Sequence, residues 1–261
     1  MNEQEPAALV LALDFPAAPL ALHIAKKVRN IVPWVKVGME LFTAAGPRVV
    51  HKLKDLGFAV FLDLKLHDIP NTVRGAVLAA TRLHADMLTL HVTGGERMIR
   101  AAVDVVHNSS YRPLLFGVTV LTSMEPGEFF GSRARSAKGL AHVAKKLAIH
   151  AQAWGMDGVV CSGHEVHEIR RATGLRCLTP GIRPVHALQN DQRRVVSPAK
   201  AVRAGSNYLV VGRPITAAPN PARAAEEILR AMHSAFPKPS PIPCEASHES
   251  TVRPQKSSGS P

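Results

Sequence analysis

The sequence predicts an α/β chain closed into a (β/α)8 barrel, and three observations carry that prediction. Eight short apolar runs recur at fairly even spacing. Most of the gaps between them show the 3.6-residue periodicity of helices with one buried face. Ionisable residues gather at the carboxyl ends of the runs, where barrels of this kind place their sites. Strands alternating with helices pair in parallel through right-handed crossovers. Eight such repeats point to closure. An open doubly wound sheet is the structural alternative, but no Gly-x-Gly-x-x-Gly follows the first run.

Each run divides into two faces, because strand side chains alternate. The first, residues 8–14, sets Leu9, Leu11 and Leu13 against Val10, Ala12 and Asp14. The second, 34–39, sets Val35, Val37 and Met39 against Trp34, Lys36 and Gly38. Val49, Val50, Leu53 and Leu56 then share a helix face, and Gly57 is its stop signal. In the third run, 59–65, Leu62 and Leu64 (with Leu66 just beyond) oppose Phe61, Asp63 and Lys65. The fourth, 87–92, brings His91 and then Thr93 near its end, and the fifth, 114–120, leads into Thr122 and Ser123. A helix follows on Leu140, Val143, Ala144, Leu147, Ala148 and Ala151. Runs 158–162, 176–182 and 208–213 complete the set, the last closing on Gly212-Arg213, and 221–232 forms the final helix.

The barrel domain is assigned residues 1–236. Residues 237–261, rich in Pro and Ser, cannot bury enough apolar surface to offset their ordering entropy and are expected to be disordered. The connection 183–197, also short of apolar residues, is read as a functional loop.

Composition narrows the class. At 261 residues with 46% hydrophobic content the chain has ample material for one large core. No run of some twenty apolar residues exists, so no membrane span is expected. The start, Met-Asn-Glu-Gln-Glu-Pro, lacks the basic region of a signal peptide. Three cysteines do not make a disulfide framework, which fits a reducing cytoplasm. The formal charge of +12 raises nucleic-acid binding as a different class of function. Yet the basic residues are scattered on helical segments such as Ala25-Lys26-Lys27-Val28-Arg29, with only two Tyr and two Trp for stacking. They read as solvated helix faces, and no specific nucleic-acid partner is expected.

The stretch that carries chemistry is Asp63-Leu64-Lys65-Leu66-His67-Asp68-Ile69-Pro70-Asn71-Thr72. Asp-x-Lys on the face of an otherwise apolar strand places charge where burial is costly. Asp68 follows just before Pro70, where a central strand cannot continue. A cation between two carboxylates is the result expected. Asp-x-Lys-x-x-Asp alone is a weak motif, and an exposed ion-pair ladder is its bland reading. For anion binding, Thr179-Pro180-Gly181-Ile182-Arg183-Pro184 and Val211-Gly212-Arg213-Pro214 follow runs seven and eight, the usual phosphate position in these barrels. Arg213 offers a bidentate guanidinium. Cys161-x-x-His164-x-x-His167 resembles a ligand set but lacks a fourth ligand at zinc spacing, so it is taken as coincidence. His23, His51, His84, His142 and His150 read as surface or packing residues.

These motifs, with Leu11-Ala12-Leu13-Asp14, Val35-Lys36-Val37-Gly38 and Val120-Leu121-Thr122-Ser123, resemble the orotidine 5′-phosphate decarboxylase family, of bacterial type, from about Leu9 to Met232. The resemblance implies a cytoplasmic, cofactor-free and metal-free homodimer that converts orotidine 5′-phosphate to UMP in pyrimidine biosynthesis. By the same resemblance, Lys65 is the proton donor within an array of Lys36, Asp63, Lys65 and Asp68. Asp14 and Lys36 hold ribose hydroxyls, and Thr122 contacts the pyrimidine. Gln192, Arg183, Gly212 and Arg213 hold the phosphate. The segment Asp68 to Thr72, with Ile69, reaches into the partner's site. The nearest rivals share Asp-x-Lys-x-x-Asp: 3-keto-L-gulonate 6-phosphate decarboxylase and hexulose-phosphate synthase, which need Mg²⁺.

Overall fold

The computed structural model describes residues 6–128, 136–183 and 194–235. Its elements run β1 (Ala8–Ala12), α1 (Ala18–Val28), β2 (Trp34–Gly38), α2 (Met39–Ala45), α3 (Arg48–Asp55), β3 (Ala59–Leu66), α4 (Pro70–Arg82), β4 (Met87–His91) and α5 (Glu96–His107). There follow β5 (Leu114–Val118), α6 (Ala137–Ala153), β6 (Gly158–Val160), α7 (Val166–Thr173), β7 (Arg176–Thr179), α8 (Pro198–Arg203), β8 (Tyr208–Val211), α9 (Arg213–Thr216) and α10 (Pro221–His233). All eight strands are parallel, and β1 pairs with both β2 and β8, so the sheet closes into the expected barrel.

Alternation along the strands makes two cores. Val10, Ala12, Phe61, Met87, Phe116, Val118, Val160, Leu178 and Val210 fill the barrel interior. Leu9, Leu11, Val35, Val37, Leu62 and Leu88, one residue out of phase, pack with the helices in the larger outer core. Each fully buried Leu or Val contributes about 1.5–3 kcal/mol of hydrophobic stabilisation. The helix faces agree with their periodicity: Val49, Val50 and Leu53 are buried on α3, and Leu140, Ala144, Ala148 and Ala151 on α6.

The apolar runs over-read most strand ends. The first run reaches Asp14 but β1 stops at Ala12, and the fifth reaches Val120 but β5 stops at Val118. Beyond those points the chain enters the loops of the barrel mouth, with Leu13 N–H still donating to the Lys36 carbonyl at 3.0 Å and Thr119 N–H to the Val160 carbonyl at 3.3 Å, and Leu13 and Val120 stay buried. β3 alone runs longer than its apolar run, to Leu66, because a bulge gives it extra length. The expected tail, 237–261, and Gln192 lie outside the described residues. Among the described residues no helix is long and apolar enough to cross a membrane.

Candidate active site

At the carboxyl ends of the strands a cavity of about 500 Å³ opens, lined by Asp14, Lys36, Asp63 and Lys65 on one side and by Arg183 and Arg213 on another. Strand parity aims these groups inward. Lys36 sits on β2 between the outward Val35 and Val37, and Asp63 on β3 follows the inward Phe61. The four charges form a row. Lys36 Nζ donates to Asp14 Oδ1 at 2.8 Å and lies 3.5 Å from Asp63 Oδ2, and Lys65 Nζ donates to both Asp63 oxygens at 2.9 Å. Gly38 makes room for this row: a Cβ there would meet Lys36 Nζ at 2.8 Å and Asp14 Oδ1 at 3.0 Å.

Burial acts on the row, and the pairing outweighs it. Desolvation alone would lower the pKa of Lys36, but the carboxylates of Asp63 and Asp14 hold it above its usual value. Desolvation alone would raise Asp63, but the Lys36 and Lys65 ammonium groups hold it below the ordinary carboxylate range. Both groups are therefore charged at neutral pH.

The cation between two carboxylates is Lys36, not Lys65 as the strand pattern suggested. Among the described residues, the Lys65 ammonium donates to Asp63 and to no second carboxylate. Asp68 turns away from its own chain's row: its carboxylate accepts the Ile69 backbone N–H at 2.6 Å, and both residues are exposed. Pro70 opens α4, so the chain must leave the barrel wall here. Ile69, 66% exposed, and Thr72, in the first turn of α4, likewise stand outside this cavity.

Lys65 is also conformationally strained. Its φ is 49°, a left-handed backbone that costs a non-glycine residue about 1–3 kcal/mol. Between the pairs Leu62–Leu88 and Leu66–Leu90, β3 carries two residues more than β4. The bulge lifts Lys65 out of the ladder, and the hydroxyl of Thr89 accepts its N–H at 3.0 Å. The same hydroxyl donates to Asp63 Oδ1 at 2.9 Å. Sequence reasoning missed Thr89. The signal was present: Met87, Thr89 and His91 share a face, and Met87 fills the barrel interior, so a fully buried hydroxyl beside it needed a partner. His91 packs against His67 with the rings tilted by 33° and their centroids 5.3 Å apart, and burial and the neighbouring His67 and Lys65 push its pKa down.

At the arginine end of the cavity, Gly212 and Arg213 follow β8, and Arg183 lies buried after β7 with Nη1 donating to the Ile182 carbonyl at 3.0 Å. Burial and the neighbouring Arg213 both disfavour the charged form of Arg183. Two like charges converging on a cavity form a receptor for an anion. Thr122 and Ser123 line the cavity after β5, as expected. A second missed contact supports that loop. Arg194 donates to the Leu121 carbonyl at 2.9 Å and the Thr122 carbonyl at 3.3 Å, and pairs with the buried carboxylate of Glu165. Glu165 in turn accepts the Ser162 N–H at 2.9 Å. This network joins residues 29–73 positions apart, beyond any local pattern. Cys161 is buried in the outer core, while His164 and His167 are exposed. Among the described residues, no group of three or more His, Cys, Asp or Glu could hold a metal ion.

Comparison with known proteins agrees with this geometry. The model of the family described as orotidine 5′-phosphate decarboxylase / HUMPS matches residues 7–228. The orotidine 5′-phosphate decarboxylase of Nitratidesulfovibrio vulgaris (strain DP4) is 56% identical over 233 residues, covering 87% of this chain and 97% of the relative. That of Lawsonia intracellularis is 49% identical, covering 85% and 98%. The crystal structure of the Lactobacillus acidophilus enzyme superposes with a TM-score of 0.74 at 36% identity, covering 87% of this chain and 99% of that one. The Methanocaldococcus jannaschii enzyme, solved with the inhibitor BMP, gives a TM-score of 0.71 at 26% identity, covering 87% and 99%. With the barrel, the row of charges and the paired arginines in place, this chain belongs to the orotidine 5′-phosphate decarboxylase / HUMPS family.

Proposed function

We propose that the chain decarboxylates orotidine 5′-phosphate to UMP without a cofactor, with Lys65 protonating C6. One observation carries the reading: the row Asp14–Lys36–Asp63–Lys65 and the pair Arg183–Arg213 share a single cavity. A nucleotide spans such a cavity with its phosphate at the arginines and its ring beside Lys65. Asp14 and Lys36 lie between and take the ribose hydroxyls, and Thr122 meets the pyrimidine.

Loss of CO2 from C6 leaves an electron pair with no adjacent carbonyl to delocalise it. A fixed ammonium beside C6 stabilises that charge and then supplies the proton. At about 4 Å and an effective dielectric near 20, one charge pair contributes roughly 4 kcal/mol. That is too little for a very slow reaction. The remainder comes from phosphate and ribose contacts, which spend binding energy on positioning the ring. Asp63 has two functions: it fixes the Lys65 ammonium, and it stands where the departing carboxylate would feel its repulsion.

The working unit is a homodimer in the cytoplasm, with Asp68, Ile69 and Thr72 completing the partner's site. The outward turn of Asp68 and the exposure of Ile69 support this arrangement. Gln192 closes over the phosphate. The assay is loss of substrate absorbance on incubation with orotidine 5′-phosphate, with UMP identified as product. Turnover unchanged by EDTA supports the reading. Activity on a sugar phosphate that EDTA abolishes would replace it with the Mg²⁺-dependent branch. Salt-dependent DNA retention with no UMP formed would replace both. For shared sites, mixing inactive Lys65→Ala and Asp68→Ala proteins restores activity, since each mixed dimer then contains one intact site.

A further inference from the structure

We propose that Thr89 is a positioning residue for Lys65: its hydroxyl holds the β3 bulge that turns the lysine back onto Asp63. The inference rests on the reading of Lys65 as the group that meets C6.

Three observations converge. The first is topological. Thr89 is the single residue of β4 between Leu88 and Leu90, and it faces the three residues of β3 between Leu62 and Leu66. It is therefore the ladder partner of the bulge itself. The second is chemical. The bulge removes the Lys65 N–H from strand pairing, and a buried amide must find another acceptor. Thr89 Oγ1 takes it at 3.0 Å and passes its own proton to Asp63 Oδ1 at 2.9 Å. Only a group that accepts and donates at once can occupy that point, which a hydroxyl does and a methyl does not. The third is packing. Behind the bulge lies an apolar cavity of about 200 Å³, lined by Leu62, Leu64, Leu66, Leu88 and Thr89, with Ala76 of α4. Close packing does not press Lys65 into its left-handed backbone from that side. The hydrogen bonds of Thr89 do the holding.

Removing the hydroxyl leaves the Lys65 N–H without its acceptor and takes one donor from Asp63. The backbone at Lys65 then relaxes, with room behind it to do so, and the ammonium leaves its place over both Asp63 oxygens. Arg183, Arg213 and Asp14, which hold the distal parts of the substrate, are untouched. The loss is therefore specific to the chemical step.

The experiment compares steady-state kinetics and melting of the full chain with Thr89→Val, Thr89→Ala and Thr89→Ser. Thr89→Val, close to isosteric, should lose about 10- to 100-fold in kcat with KM within about threefold, as expected when a reacting group is misplaced but substrate binding is kept. Thr89→Ser, which keeps the hydroxyl, should stay within about threefold of the parent kcat. A folded Thr89→Val or Thr89→Ala protein with parental kcat overturns the proposal, as does a loss confined to KM. Should neither fold, Thr89→Ser decides, and a tenfold or greater loss of kcat in that protein overturns the proposal. If the parent chain turns over orotidine 5′-phosphate and Thr89→Val matches it, only the positioning role fails. If the parent chain is inactive, the functional reading itself fails.

Discussion

Two lysine–aspartate clusters sit at opposite ends of this barrel, and their difference separates a site from a brace. At the amino ends of the strands, Lys54 Nζ reaches Asp86 at 2.7 and 2.8 Å and Tyr111 Oη at 3.2 Å. Asp86 also accepts the Val60 N–H at 2.6 Å and the Tyr111 hydroxyl, while the His84 ring stacks on Tyr111 at 4.7 Å. At the carboxyl ends, Lys65 and Lys36 make bonds of similar length, but they border a cavity of about 500 Å³; backbone strain does not separate the two clusters, since Lys65 at φ 49° and His84 at φ 54° are both left-handed. Equal bond lengths thus carry unequal meaning. Charges that close on one another at the barrel floor stabilise, whereas charges that line the cavity at the barrel mouth are available to a substrate.

The largest effect should separate the two lysines. Lys65→Ala should lower kcat by about 10⁴-fold or more, since it removes both the proton donor and the charge that meets the carbanion. Lys54→Ala should leave kcat within about twofold, because the amino-terminal face of a barrel serves stability and not chemistry. Equal kinetic losses would erase the distinction. Next, Arg213→Ala or Arg183→Ala should lower kcat/KM by about 10²–10³-fold, the cost of leaving a bound phosphate without a charged partner. Inorganic phosphate should protect the parent chain from thermal unfolding, and these variants less.

Asp86→Ala should then do the reverse of Lys65→Ala. Stranding Lys54 and Tyr111 costs about 2–3 kcal/mol, which lowers Tm by about 4–12 °C in a domain of this size. In the folded fraction kcat should be unchanged.

The smallest effect is in pH dependence. Asp63 is held below its ordinary value of 3.8, so the unfolded chain binds that proton more readily. Its stabilisation is complete above pH 3.8 and is lost as pH falls through the lower folded value. Lys36 is held above 10.5, so its stabilisation is complete below that pH and is lost as pH rises through the higher folded value. The urea midpoint difference between the parent chain and Asp63→Asn should therefore be flat through neutrality and shrink only in acid. A difference that changes near neutral pH would show that the row is not charged as described.

Much of this was legible in the sequence, for reasons that mark where legibility ends. Alternation along a strand and periodicity along a helix are local, so Leu9, Leu11 and Leu62 announced the outer core and Asp14, Lys36, Asp63 and Lys65 the inner face. The Gly-Ile-Arg and Gly-Arg-Pro segments announced the two arginines that line the cavity. A period of two, however, cannot register a bulge. Lys65 was expected between Asp63 and Asp68, but Asp68, three residues on along the chain, instead accepts the Ile69 N–H. Thr89 drew no reading of its own, because its importance comes from lying across the bulge in another strand. Arg194 and Glu165 join loops after different strands, and Lys54 and Asp86 join different elements of the floor. Contacts of that kind are set by closure of the barrel, which no window of sequence contains.

The central claim is that the Lys65 ammonium, fixed by Asp63, stabilises negative charge at C6 of the bound pyrimidine. Proton exchange into the product tests it without requiring decarboxylation. UMP incubated with the protein in D2O should lose its C6 proton signal in NMR, and with Lys65→Ala the signal should persist. A persistent signal with the parent chain, or equal exchange in both proteins, would contradict the account.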